Sequence, residues 1–161
     1  MTIAITPFDG LCGFRPIEEI SHFLSSITPL KRVVGAAAAQ QFNEAAKSKE
    51  QNHKDALQAL FKSLMTASAE TIAEEAKQLV QCAKESKDGF AASGGSSSDM
   101  KELSELVIRL NEQFPTDIGL FTLFLLNYVK LEPGEAMFLK ADDIHAYLSG
   151  GKLRPDLDGW I

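Results

Sequence analysis

Three histidines, two cysteines and 22 acidic residues are the groups in this 161-residue sequence that chemistry most often uses. One short stretch sets two polar rings at a telling spacing. In "IHAYLSG" (144–150), His145 and Tyr147 stand two residues apart. Side chains alternate along an extended strand, so the imidazole and the phenol share one face while Ile144 and Ala146 take the other. Such a face could bind a metal or a sugar hydroxyl. It could equally hold a structural histidine, because one imidazole does not make a metal site.

The other candidates are weaker. His53, in "EQNHKDA", lies among charged and amide residues and reads as a solvated surface histidine. His22 flanks an apolar stripe without an acidic or cysteine partner at ligand spacing and reads as structural. Glu18 with Glu19, and Glu74 with Glu75, are adjacent on helices. Neighbours at i and i+1 point about 100° apart, which suits solvated carboxylates better than a catalytic pair. Cys12 and Cys82 form neither a CxxC motif nor a dense framework, so both read as small buried apolar groups in a reduced compartment, with a cytoplasmic location expected.

The elements that must position these residues fall into zones. Residues 1–15 open with alternating β-branched positions and turn on Gly10 and Gly13, which predicts one short strand and an apolar loop. Residues 16–130 carry helical periodicity. Ile17, Ile20, Phe23, Leu24 and Ile27 share one helix face behind Pro16, and a second helix is expected from Thr28 and Pro29 through Ser48. A third is expected near Asn52 to Thr66, and a fourth from about Ser68 with Ile72, Ala76, Leu79, Val80 and Ala83 inward.

After a Gly- and Ser-rich connection, "KDGFAASGGSSSD", Asp99 and Glu102 resemble a capping box opening a helix with Leu103, Leu106, Val107, Leu110 and Phe114 on its stripe. Pro115 is expected to end it, and Thr116 to cap a last core helix over Asp117 to about Lys130. Residues 131–150 read as a β-hairpin, "EAMFL" and "IHAYL" around the turn "KADD". Residues 151–161 show no strand period.

Composition limits the function. The chain is 45% apolar, 24% charged and carries a formal charge of -6, ordinary values for one soluble domain and without the basic footprint of a nucleic-acid binder. The longest apolar run, Ile118 to Val129, is well short of the about 20 residues a bilayer span needs. No nucleic-acid or membrane partner is expected.

Two long motifs then carry a resemblance. "AITPFDGLCGFRPIEEI" (4–20) is similar to a hallmark segment of type I mannose-6-phosphate isomerases, and "LEPGEAMFLKADDIHAYLSG" (131–150) resembles the same family's second cupin segment. The two stand in the family's order, with a helical insert between them. The resemblance implies a mainly α fold with short β segments: the helical insert domain of a zinc-dependent cupin-type isomerase plus one cupin β-hairpin. It also implies interconversion of mannose 6-phosphate and fructose 6-phosphate, feeding GDP-mannose.

In that family a Gln-x-His pair, a glutamate and a later histidine hold zinc; His145 matches the last, and Tyr147 matches a residue of the substrate pocket wall. The other three ligands match nothing here, and Lys152 and Arg154 do not match the arginine-bearing segment, so no catalytic residue is assigned. On this reading the sequence is a partial version of the enzyme, with zinc bound weakly by these residues alone. Cut strand edges would then be open to pairing with another chain. The alternative is a non-catalytic helical interaction module.

Overall fold

The computed structural model describes residues 2–48, 53–85, 97–140 and 143–153, with side chains left undescribed at 97–100 and 152–153. They divide into a helical unit, Pro16–Thr122, and a β unit formed by Met1–Arg15 with the residues from Leu123 onward. The fold class read from the sequence, mainly α with short β segments, holds.

In the helical unit, α1 (Ile17–Ser26) follows Pro16, whose φ of -50° suits the approach to a helix, and buries Ile20, Phe23 and Leu24 on one face. The helix expected from Thr28 to Ser48 is two. α2 (Thr28–Val34) ends at Gly35, whose φ of 83° lies in the left-handed region, and α3 (Ala36–Lys47) starts on its far side. Only glycine adopts that conformation without steric cost, so the break is written at one residue. The Ser63 hydroxyl donates to the Val34 carbonyl at 2.6 Å, satisfying one of the orphan acceptors that the break creates.

Helix α4 (His53–Met65) buries Leu60 and Leu64, and α5 (Ala69–Glu85) buries Ile72, Ala76, Leu79, Val80 and Ala83. The Ser68 hydroxyl accepts from the Thr71 N–H at 3.1 Å and caps α5. α6 (Ser97–Gln113) buries Leu103, Leu106, Val107 and Leu110, while Phe114, expected on the same stripe, lies past the helix end and is 61% exposed. The capping-box side chain of Asp99 and the Gly/Ser-rich connection at 86–96 fall outside the described residues. α3 packs on α4, α5 on α6, and α2 on both α4 and α5, so each amphipathic stripe meets another.

The last core helix is not formed. Only Gly119–Thr122 is helical (α7), introduced by the Asp117 carboxylate, which accepts from the Gly119 N–H; Thr116 instead takes a positive φ of 58°. The apolar run then continues as a strand. A run that is apolar all round has no face to distinguish helix from buried strand, and long-range pairing decides.

In the β unit the opening segment forms two strands, β1 (Thr2–Ala4) and β2 (Phe8–Phe14), where one strand and a loop are expected. β2 is central, flanked by β3 (Leu126–Leu131) along its whole length and by β5 (His145–Ser149), both antiparallel. β4 (Ala136–Met137) and β6 (Lys152–Leu153) flank β1 in a second sheet. Among the described residues, the strands in the "EAMFL" and "IHAYL" runs therefore do not pair with each other as the expected hairpin: each crosses to a different strand of the N-terminal segment. The turn residues Ala141 and Asp142 lie outside the described residues, as do residues 154–161 of the tail.

Candidate functional site

The site is a face of the β3-β2-β5 sheet. β5 pairs Tyr147 with Gly10, Ala146 with Leu11 and His145 with Cys12. Alternation then puts Gly10, Cys12, His145 and Tyr147 on one face, and Leu11 and Ala146 on the other. The rings of His145 and Tyr147 lie 5.3 Å apart, as their spacing requires. Gly10 leaves little room for a side chain beneath Tyr147, since a Cβ there would come to 3.0 Å from the Ala146 carbonyl and 3.3 Å from the Phe8 ring.

Tyr147 is held on two sides. Its ring meets Phe8 edge-on at 5.5 Å, and its hydroxyl is 3.1 Å from Thr2 Oγ1, a side chain only 2% exposed. His145 is exposed. Its Nδ1 lies 2.8 Å from the Asp143 carbonyl oxygen, and a carbonyl only accepts, so Nδ1 carries the proton in that hydrogen bond. In the neutral ring Nε2 then presents its lone pair, the form a metal takes. The donor chemistry of His145 thus fits a zinc ligand. Among the described residues, no group of three or more His, Cys, Asp or Glu side chains could hold a metal ion.

Neither cysteine is buried as expected: Cys12 is half-buried and Cys82 exposed. Cys12 pairs with the exposed His145 across the β2–β5 ladder, and Cys82 lies on the exposed side of α5. Partial burial raises the Cys12 thiol above its ordinary pKa, and the negative charge of Asp143 raises it further, so it is protonated at neutral pH.

On the opposite face stands a residue that the sequence does not flag. Asp9 is 6% exposed, and its carboxylate accepts from the Tyr128 hydroxyl at 2.8 Å and from the Ser149 hydroxyl, joining all three strands. Its partners lie more than a hundred residues away in sequence, so no local spacing could reveal them. Asn127 is another. Its side-chain amide donates to the carbonyls of Cys12, Gly13 and Phe14 at 3.0, 3.2 and 2.9 Å, bracing a bulge where Gly13 takes a φ of 60°.

The other candidates lie in the helical unit. His22 contacts Ser26 one turn on, and His53 Nε2 bonds the Ser48 carbonyl at 2.9 Å, so His53 ties the end of α3 to α4 rather than standing free in solvent. Glu75, expected on the surface, is 6% exposed and reaches Arg32 at 3.5 Å, because it falls on the α5 stripe that packs against α2.

Comparison with known proteins places this arrangement. Residues 33–126 match the family model described as "Phosphomannose isomerase type I, helical insertion domain". The mannose-6-phosphate isomerase of Emericella nidulans is 51% identical over 93% of this chain, and the human protein of that name is 39% identical over the same share. The chain spans about a third of the length of these curated relatives, 35% and 34% respectively.

Among solved structures, the apo mannose 6-phosphate isomerase of Salmonella typhimurium is similar with a TM-score of 0.64 and 32% identity, over 94% of this chain and 33% of that one. A mannose 6-phosphate isomerase bound with zinc and yttrium gives a TM-score of 0.66 at 30% identity, over 94% of this chain and 33% of that chain. The chain belongs to the type I phosphomannose isomerase family and contains its helical insertion domain.

Proposed function

We propose that these residues form one wall of the active site of a zinc-dependent mannose-6-phosphate isomerase, with His145 as a metal ligand and Tyr147 lining the sugar pocket. The observation that carries the reading is the state of His145: an exposed imidazole, its Nδ1 proton committed to the Asp143 carbonyl, beside a tyrosine braced by Thr2 and Phe8. The motifs that place these residues match relatives that bear the isomerase name.

When bound, zinc would supply Lewis-acid polarisation of sugar oxygens, which eases the proton transfer that exchanges an aldose and a ketose. His145 would hold the ion through Nε2. Tyr147 would present a rigid apolar ring and an oriented hydroxyl to mannose 6-phosphate or fructose 6-phosphate, and so help fix the sugar's position. The described residues supply one imidazole donor on that face, and by themselves they would hold zinc only weakly. β3 and β5 each pair with β2 on one side only among the described residues, which leaves their outer edges for further strands.

A second reading is a non-catalytic helical interaction module. Its support is that the absence of a three-donor cluster among the described residues goes with a helical unit whose stripes already cover one another. A coupled isomerase assay on the purified chain with added zinc, read beside metal content, separates the two. Turnover that disappears in His145→Ala supports the isomerase wall acting by itself. Absent turnover with sub-stoichiometric zinc, restored when the rest of an isomerase is supplied as a second chain, supports the wall as part of a larger site. Absent turnover in both settings favours the module.

A further inference from the structure

We propose that Asn127, acting through the Gly13 bulge, is a positioning residue that selects the tautomer of His145. A relay of hydrogen bonds supports this, each step of it set by geometry. The Asn127 amide bonds three successive carbonyls, those of Cys12, Gly13 and Phe14. An NH2 group has two protons, so at least one is shared, and the amide acts as a brace over the whole bulge rather than as a single ladder bond.

The bulge is irregular for a reason. The β2–β3 register shifts between Cys12 and Phe14, and Gly13 takes a φ of 60°, which L side chains rarely adopt. That conformation turns the Gly13 N–H toward β5, where it donates to the Ile144 carbonyl at 2.9 Å. Ile144 lies between Asp143, whose carbonyl accepts the His145 Nδ1 proton at 2.8 Å, and His145 itself. Fixing the carbonyl of Ile144 fixes the chain direction on which the Asp143 carbonyl is presented. Asn127 therefore acts on the imidazole without touching it, by holding Gly13 in the one conformation that anchors the segment before β5.

Open space around Gly13 sharpens the point. A Cβ built there meets only the Asn127 amide nitrogen, at 3.8 Å. Glycine is required at this position by backbone conformation and not by crowding, so the bulge itself is what the sequence preserves room for. The orientation of a ligating histidine by a backbone carbonyl on its other nitrogen is a general device for fixing which nitrogen meets the metal. Here the device extends one layer further, to an amide on the next strand but one.

The inference rests on His145 being the metal-facing residue, and the test keeps the two apart. In 15N-labelled chain, with His145 assigned by its loss in His145→Gln, the imidazole nitrogen shifts report which nitrogen is protonated in the neutral ring. The wild type is expected to show Nδ1 protonated. In Asn127→Leu, which keeps the shape and removes the donors, and in Gly13→Ala, the ratio of tautomers is expected to fall by about fivefold, the worth of one hydrogen bond. Asn127→Ser, which keeps one donor, is expected to lie between.

A single unchanged tautomer in any of these variants that retains the wild-type β2–β5 amide pattern overturns the proposal. Should Asn127→Leu fail to fold, Asn127→Ser is read against the same criterion. Titration with Zn2+ reports separately: absence of any Zn2+-induced change at His145 Nε2 removes the metal reading while leaving the tautomer result standing.

Discussion

The two units of this chain solve the same problem, covering apolar surface, in opposite ways. In the helical unit partners lie close in sequence, and Leu60, Leu64, Leu79 and Val107 are all at most 1% exposed. In the β unit every strand pair described joins residues more than a hundred positions apart, and its outer strands are paired on one side only among the described residues. The difference teaches where chemistry can sit. Among the described residues, the helical unit spends its periodic positions on mutual burial, whereas the β unit carries His145, exposed, beside the half-buried Tyr147.

The largest test of this contrast is a core deletion in the helical unit. Leu79→Ala removes a fully buried side chain and is expected to cost about 2–5 kcal/mol, lowering the denaturant midpoint followed by far-UV circular dichroism. A loss below about 1 kcal/mol would mean that the stripe is not the core it is taken for.

Next comes the β unit. Gly150 takes a φ of 99°, and a Cβ there would lie 2.5 Å from the Pro7 carbonyl oxygen and 2.6 Å from Phe8 Cα. Gly150→Ala is expected to cost about 1–3 kcal/mol. Hydrogen exchange should quicken at the β2 and β5 amides and leave α5 unaffected; equal quickening in both units would break the comparison.

A smaller effect is expected at Arg32. Arg32→Ala deprives the buried Glu75 carboxylate of its ion pair, and Glu75 Oε2 has no hydrogen-bond partner among the described residues. Because the Arg32 side chain is 52% exposed and screened by solvent, the loss is held to about 1 kcal/mol. It is read as a shift in the same denaturation midpoint, and Glu75→Gln in the same background should recover part of it. No recovery would place the effect in lost packing of the Arg32 stem instead.

The smallest perturbation is chemical. Cys12 is half-buried with its thiol pushed up by burial and by Asp143, whereas Cys82 is exposed. A raised pKa leaves less thiolate at a given neutral pH, so alkylation of Cys12 is expected to lag that of Cys82 and to gain more as pH rises toward its own pKa. Peptide mapping after timed iodoacetamide treatment checks this. Asp143→Asn should narrow the gap by removing the second cause.

How much was legible in advance varied with the range of the interactions involved. The stripes of α1, α5 and α6 were readable because three- and four-residue spacing is itself the cause of burial on one helix face. So was the shared face of His145 and Tyr147, since alternation along a strand is local geometry. The break at Gly35 had a visible residue but an unread role: glycine in a helical pattern is tolerated until the backbone needs a positive φ. Phe114 was misplaced because the helix ends at Gln113, before its stripe position is reached.

By itself, then, the sequence determined the helical stripes, the pairing of an imidazole and a phenol on one strand face, and the motifs that carry the family. Tertiary structure alone decided that Leu126–Leu131 is a strand, because β2 offers its backbone a full ladder of partners. It also sent β4 and β5 to different strands, and it assembled Asp9, Tyr128, Ser149 and Asn127 around β2. Those contacts join positions more than a hundred residues apart. Their energy depends on where the chain returns, which no local spacing records.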